Sequence, residues 1–321
     1  MGRTTRSSRT RTIAALSALA LPLSVAACSS GDTEAAAGPA EVESVGLLVQ
    51  DMSNPFFSAM DKALKDAAKE QGLTANTQDA QLDLGTQTTQ MDAFIQQGVD
   101  LVIVSAVDQD GIEPAIQRAK QAGIIVVAVD TPAVGADAIV ETNAVQAGET
   151  SCTYLFDQMG GQGNVLLVDG TPIQTIIDRI EGCKNVAATY PGITIVGQQA
   201  SENDRASGLA VTTDMLTATP DVQGIFGMND PSALGAVLAV EQAGKTGVVV
   251  TGVDGSPEAV AELTRPGSPF IGTATQAPGE MVRTAIDLAQ QLAAGEQLDE
   301  DHVLIPSELV TRDNVGEYAG W

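Results

Sequence analysis

From Val45 onward, short unbroken apolar runs alternate with longer stretches in which apolar residues recur every three or four positions. Runs such as 101–104 (LVIV) and 124–129 (IIVVAV) are rich in β-branched residues and show no polar alternation, as strands buried on both faces require. The longer stretches read as amphipathic helices. In 55–71, Phe57, Met60, Leu64, Ala67 and Ala68 form one stripe, and Asp61, Lys62, Lys65, Asp66, Lys69 and Glu70 fall mostly on the other side. Asn54 suits the N-cap of that helix, Pro55 its first turn and Gly72 its end.

The same pattern predicts further strands at 73–77, 138–142, 164–168, 193–198, 222–226, 248–253, 270–275 and 303–310. Helices are expected at 85–97, 112–121, 144–159, 174–189, 205–217, 232–242, 257–263 and 278–294. Strand and helix alternate through one round and then through a second. This implies an α/β protein with two doubly wound parallel-sheet lobes and helices on both faces of each sheet. Polar residues close the strands: Asp51, Ser105, Asp130, Asp169, Asn229, Asp254 and Gln276. Each alone reads as an ordinary turn or cap residue. Two facing lobes would gather them into one cleft, because strand ends of doubly wound sheets share an edge.

The N-terminus changes the picture from a soluble fold to an exported one. Arg3, Arg6, Arg9 and Arg11 precede the apolar stretch 13–27, which is too short to span a bilayer comfortably. It ends in Val25-Ala26-Ala27-Cys28, which resembles the lipobox of bacterial lipoproteins. That resemblance implies lipidation of Cys28 and attachment to the outer face of the cytoplasmic membrane. Residues 29–43 are small and polar and read as a flexible tether. The 321-residue chain carries a net charge of −25, and loss of the four leader arginines takes this to −29. Such a charge excludes a basic nucleic-acid footprint and disfavours electrostatic binding to anionic lipid.

Cys152 and Cys183 remain beyond the leader, both on expected helices, and an exported pair favours a disulfide. Catalysis by either would want a histidine partner, and the single histidine, His302, lies in a late strand. No GxGxxG follows the first strand, and Gly160-Gly161-Gln162-Gly163 sits between a helix and a strand, the wrong order for a phosphate cradle. No cofactor and no metal are expected.

Six segments in this order and spacing carry a resemblance to the ribose-type, or type I, periplasmic sugar-binding proteins. They are SNPFF (53–57), VVAVD (126–130), NDRASGL (203–209), PDVQGIFGMNDPSALGA (220–236), GVDGSP (252–257) and TATQ (273–276). The resemblance spans roughly 44–311. It implies two lobes joined by three crossovers, with 44–141 plus 276–305 in the N-terminal lobe and 142–275 plus 306–321 in the C-terminal lobe. It further implies a monomer that closes on a small sugar and delivers it to a membrane ABC permease. Carried over position by position, Asn54 matches a polar ligand contact, Phe56 and Phe57 an aromatic wall, and Asp130 a carboxylate acceptor. Asn229, Asp254 and Gln276 match polar contacts of the second lobe and hinge.

This chain departs from the ribose binders at several of those positions. Thr131 and Ile177 stand where arginines are expected, Ser105 replaces an asparagine, and Asn203 and Val253 replace second-lobe aromatics. The expected pocket therefore has two fewer cationic donors and one aromatic wall. A neutral sugar or polyol other than ribose is the expected ligand, and Asp254→Ala is expected to weaken binding with little loss of fold. Two rival functions remain: a sugar or furanosyl-signal receptor feeding a sensor kinase, and a glycoside-processing enzyme built on paired carboxylates such as Asp130 and Asp254.

Overall fold

The computed structural model describes residues 38–321. The leader, Cys28 and the first part of the expected tether lie outside the described residues. The first round of alternation runs β1 (Ser44–Val49), α1 (Pro55–Gln71), β2 (Thr74–Asp79), α2 (Leu84–Gln97), β3 (Leu101–Val104), α3 (Glu113–Gln121), β4 (Ile125–Val129) and β5 (Ala138–Thr142). The second runs α4 (Ala144–Gln158), β6 (Gln162–Asp169), α5 (Gln174–Ala187), β7 (Gly192–Ala200), α6 (Arg205–Ala218), β8 (Gly224–Gly227), α7 (Asp230–Gln242), β9 (Val249–Asp254), α8 (Pro257–Thr264) and β10 (Phe270–Thr275). The chain ends with α9 (Pro278–Ala293), β11 (His302–Ile305) and β12 (Leu309–Thr311).

Two six-stranded sheets result, ordered β11-β5-β4-β3-β1-β2 and β12-β10-β9-β8-β6-β7. All pairings are parallel except β10 with β12. Each order reverses once, at β1/β3 and at β6/β8, and ligands of doubly wound sheets bind beyond the strand ends at such a reversal. The two α/β lobes implied by the alternation are therefore present, and the chain passes from one sheet to the other after β5, after β10 and after β11.

The predicted elements recur with shifted ends and one substantive difference. A single last strand was expected over 303–310. Two strands form in its place, because Pro306 offers no main-chain donor to continue a ladder. Residues 306–308 cross between the sheets, and β12 turns antiparallel to β10. The tether also ends earlier than expected: Val42 is buried in the first lobe's core, and its main chain exchanges two hydrogen bonds with the Gln290 side chain.

Each sheet is covered on both faces. Phe57, Met60, Leu64 and Ala67 of α1 pack with Met281, Val282, Ala285 and Ile286 of α9 over one face of the first sheet. Met91 and Phe94 of α2 and Ile116 of α3 cover the other. In the second lobe, Leu155 and Phe156 of α4 and Ile176 and Ile180 of α5 oppose Leu234 and Val237 of α7 across the sheet. Helix α1 starts where the sequence places it: the Asn54 side chain accepts from Phe56 N at 3.0 Å, Pro55 fills the first turn, and Gly72 ends it at φ 76°. That cap holds the two phenylalanines at the carboxyl end of β1.

Candidate functional site

The carboxyl ends of both sheets face a cavity of about 230 Å³. An apolar cavity of about 150 Å³ accepts one benzene, so this space accommodates one substituted ring. The first lobe contributes Gln50 after β1, Asn54, Phe56 and Phe57 at the start of α1, and Asp130 and Thr131 after β4. The second contributes Thr175, Ile176 and Arg179 of α5, Asn203 before α6, Asn229 before α7 and Asp254 at the end of β9. Gln276 lines it from the crossover after β10.

Backbone geometry marks the same place. Five described non-glycine residues have positive φ: Gln81, Leu82, Asp130, Asn203 and Asp254. The last four line the cavity. Such conformations persist only where surroundings impose them, and they gather at functional sites.

Two carboxyls, Asp130 and Asp254, and the Arg179 guanidinium form the polar floor. Arg179 Nη1 donates to Asp254 Oδ1 at 3.3 Å and to the Met228 carbonyl at 3.0 Å. Asp254 also accepts from Gln276 Nε2 at 2.9 Å and from the Asp230 main-chain N–H at 3.2 Å. Asp230 lies behind it, accepting from Thr273 Oγ1 at 2.7 Å and from Ser256 N at 2.8 Å. Ser105 Oγ donates to Asp130 Oδ2 at 3.2 Å. Burial pushes the Asp130 carboxyl up to about 6, against the opposing pull of Arg179. Burial likewise raises Asp254, and burial with the neighbouring Asp254 charge raises Asp230 well above the ordinary carboxylate range. Two buried polar atoms in this group have no protein partner, Arg179 Nε and Gln276 Oε1. One is a donor and the other an acceptor.

Of the twelve expected pocket residues, nine line the cavity: Asn54, Phe56, Phe57, Asp130, Thr131, Asn203, Asn229, Asp254 and Gln276. Ser105 does not; it is fully buried behind Asp130, where Gln50 Nε2 donates to it. Val253 points the opposite way from Asp254, as neighbours on a strand must, into the core with Leu155 and Phe156. Ile177 is 44% exposed and lies outside the cavity. Helix α5 presents Thr175 and Arg179, four residues apart, on its cavity face, and a residue midway between them faces elsewhere. Arg179, two positions beyond Ile177, places a guanidinium on the cavity that the expected pocket residues did not include. Gln50, Thr175 and Asp230 were also missed. The i, i+4 spacing of Thr175 and Arg179 was the readable signal, and Gln50 is the first residue after β1.

Cys152 of α4 and Cys183 of α5 form a disulfide, both sulfurs fully buried. Among the described residues no helix is long and apolar enough to cross a membrane, and no group of three or more metal-ligating side chains clusters.

Two doubly wound lobes with a polar, strained cavity between their strand ends define a binding protein of the clamp type. A family model of the periplasmic binding protein domain matches residues 45–297. The chain is 30% identical over 271 residues to the ribose import binding protein RbsB of Bacillus subtilis, covering 84% of this chain and 87% of that protein. It is 30% identical over 303 residues to the xylitol-binding protein of Mycolicibacterium smegmatis, covering 92% and 84%. The solved structure of an ABC transporter solute binding protein from Mycobacterium smegmatis with bound glycerol matches with a TM-score of 0.82 at 30% identity, covering 87% of this chain and 98% of that one. The chain belongs to the periplasmic binding protein family, whose members act outside the cytoplasm, and the resemblance read from its motifs is borne out.

Proposed function

We propose that this protein captures one small neutral sugar or polyol between its lobes and delivers it to a membrane ABC permease. The observation that carries this reading is the cavity lining, in which Asp130, Arg179, Asn229, Asp254 and Gln276 from both lobes and the crossover stand with Phe56 and Phe57. Polar groups of such a wall left without partners when the cleft closes cost about 1–3 kcal/mol each, which a polyhydroxylated ligand avoids. Phe56 and Phe57, edge to face with ring centroids 5.3 Å apart, offer apolar cover for the C–H side of a sugar. Asp51, Glu202, Asp204 and Glu258 at the cavity against Arg205 repel anions such as sugar phosphates. The names of the relatives, ribose and xylitol binders, and the glycerol in the structural neighbour support the same class.

In this reading Asn54, Phe56, Phe57, Asp130, Thr131, Asn203, Asn229, Asp254 and Gln276 contact the ligand together with Arg179. The lobes hinge near 141–142, 275–276 and 305–306, the ligand leaves chemically unchanged, and the protein acts as a monomer held at the membrane through a lipid on Cys28. Thr131 and a second lobe whose described cavity lining holds no aromatic ring still argue against ribose as the preferred ligand. A calorimetric screen of glycerol, xylitol, ribose, myo-inositol and hexoses, with sugar phosphates as controls, is expected to give tight binding of a neutral compound. Tight binding of anions alone would overturn the reading. Incorporation of labelled fatty acid that survives Cys28→Ser would remove the anchor from it.

A further inference from the structure

We infer that Trp321 is a positioning residue of the binding site, acting through Asp254, which it joins to Phe56 across the two lobes. The inference rests on the binding function proposed above.

Asp254 occupies a strained backbone conformation, φ 141°, followed by Gly255 at φ 72°. A carboxyl on such a residue points where it does only if the adjoining peptides are held. Two bonds hold the Asp254 carbonyl: Gln276 N donates to it at 2.8 Å and Trp321 Nε1 at 2.9 Å. The next peptide is held in the same manner. Tyr318 Oη donates to the Gly255 carbonyl at 3.1 Å, and Gly255 N donates to Thr273 Oγ1 at 3.1 Å. Residues 312–321, which follow β12 of the second sheet, thus supply two of the four bonds.

The same indole reaches the other lobe. Its ring meets Phe56 edge to face, centroids 6.0 Å apart at 87°, and packs against the first lobe's core. Phe56 in turn lines the cavity, which Trp321 does not. One side chain behind the cavity wall therefore touches the aromatic wall of one lobe and the carboxylate-bearing peptide of the other. A residue so placed affects affinity by orienting groups that do touch ligand, and its surroundings change when the lobes move.

The test uses the full chain and the probe, among xylitol, D-ribose and myo-inositol, that binds the unaltered protein most tightly. Trp321→Phe keeps a smaller aromatic ring against Phe56 and removes the N–H donor. It is expected to weaken probe binding about three- to tenfold, the range of one lost hydrogen bond, with the thermal midpoint of the protein alone nearly unchanged. In an Asp254→Ala background the same change is expected to have no further effect on affinity, which a merely structural role would not produce. Should Asp254→Ala fail to fold, fluorescence decides: Trp321 is the single tryptophan of the sequence, and saturating probe is expected to shift its emission. Probe affinity equal in the unaltered protein and Trp321→Phe overturns the inference and leaves the proposed function standing. So does emission indifferent to saturating probe. Absence of binding to the unaltered protein by any of the probes overturns both.

Discussion

The Thr175 hydroxyl donates to the main-chain oxygen of Asp130 at 2.9 Å, tying α5 of the second lobe to the end of β4 in the first. Thr131 Oγ1 lies 3.2 Å from the same hydroxyl and accepts from Gln50 Nε2 at 2.9 Å. The lobes are thus joined at the cavity wall by hydroxyls, which water can satisfy when they separate. Ligand stabilises closure only through contacts stronger in the closed state, and these bonds share in that difference. Thr175→Val removes the donor and keeps the branched shape. Probe affinity by titration calorimetry is expected to fall about three- to tenfold, with little change in thermal midpoint. Equal affinity would show that the bond contributes nothing to closure.

The surroundings of Asp254 change what its removal should do. A side chain that contacts only ligand could be truncated with little loss of fold, as the sequence suggested. Asp254 is buried, pairs with buried Arg179, and accepts from Gln276 and the Asp230 N–H. Truncating one member of a buried pair leaves the other charge uncompensated, at a cost of about 3–5 kcal/mol. Asp254→Ala is therefore expected to lower the denaturation midpoint markedly as well as weaken binding. The double variant Asp254→Ala, Arg179→Met should recover part of the stability and none of the affinity. A single variant as stable as the unaltered protein would show that Arg179 is compensated by other means.

The architecture was legible because buried parallel strands leave an unambiguous mark. LVIV at 101–104 and IIVVAV at 124–129 can hardly be anything else, and Asn54-Pro55 with Gly72 bounds α1 to the residue. Site residues at strand ends were found because strand termini are short and their order is fixed by topology. Residues on α5 were not. A helix distributes its side chains around an axis, so Arg179, 4% exposed, lines the cavity while Ile177, two positions away and 44% exposed, does not. Nor does the sequence say that a single apparent strand at 303–310 serves two sheets. That division depends on where Pro306 falls relative to partners distant in the chain.

The buried carboxyls give the protein a pH dependence opposite to that of an ordinary paired carboxylate. Asp130 moves from 3.8 to about 6 on burial. Between these values the folded chain binds more protons than the unfolded one, so stability is greatest below about 4 and is lost as pH rises toward 6. The full excursion is about 3 kcal/mol, from about 1.4 kcal/mol per unit. Asp230 and Asp254 are raised in the same direction. The thermal midpoint is expected to rise on going from pH 7 to pH 5, less so in Asp130→Asn. Sugar affinity should move the other way, because ligand hydroxyls donate to the carboxylate form. A midpoint that falls between pH 7 and pH 5, with the same slope in Asp130→Asn, would contradict the assignment.

The disulfide joins α4 to α5, the helix that carries Thr175 and Arg179 of the second lobe's cavity wall. Helices α4 and α5 approach closely enough that a Cβ on Gly148 would lie 2.0 Å from the Arg179 carbonyl, and one on Gly182 would lie 2.1 Å from that of Val145. Cys152 and Cys183, 31 residues apart, fix this contact covalently one or two turns from Thr175 and Arg179. In the chain-entropy model a loop of that length contributes about 3–4 kcal/mol. Because both sulfurs are fully buried, reductant alone should leave the native mass and probe affinity unchanged, and alkylation of both thiols should require reductant with denaturant. Cys152→Ala, Cys183→Ala is expected to lower stability by about 3–4 kcal/mol in urea titration while the folded fraction still binds probe. Two alkylated thiols in the native, unreduced protein would show that the bond does not form; a double variant of undiminished stability would show that helix packing alone sets the position of α5.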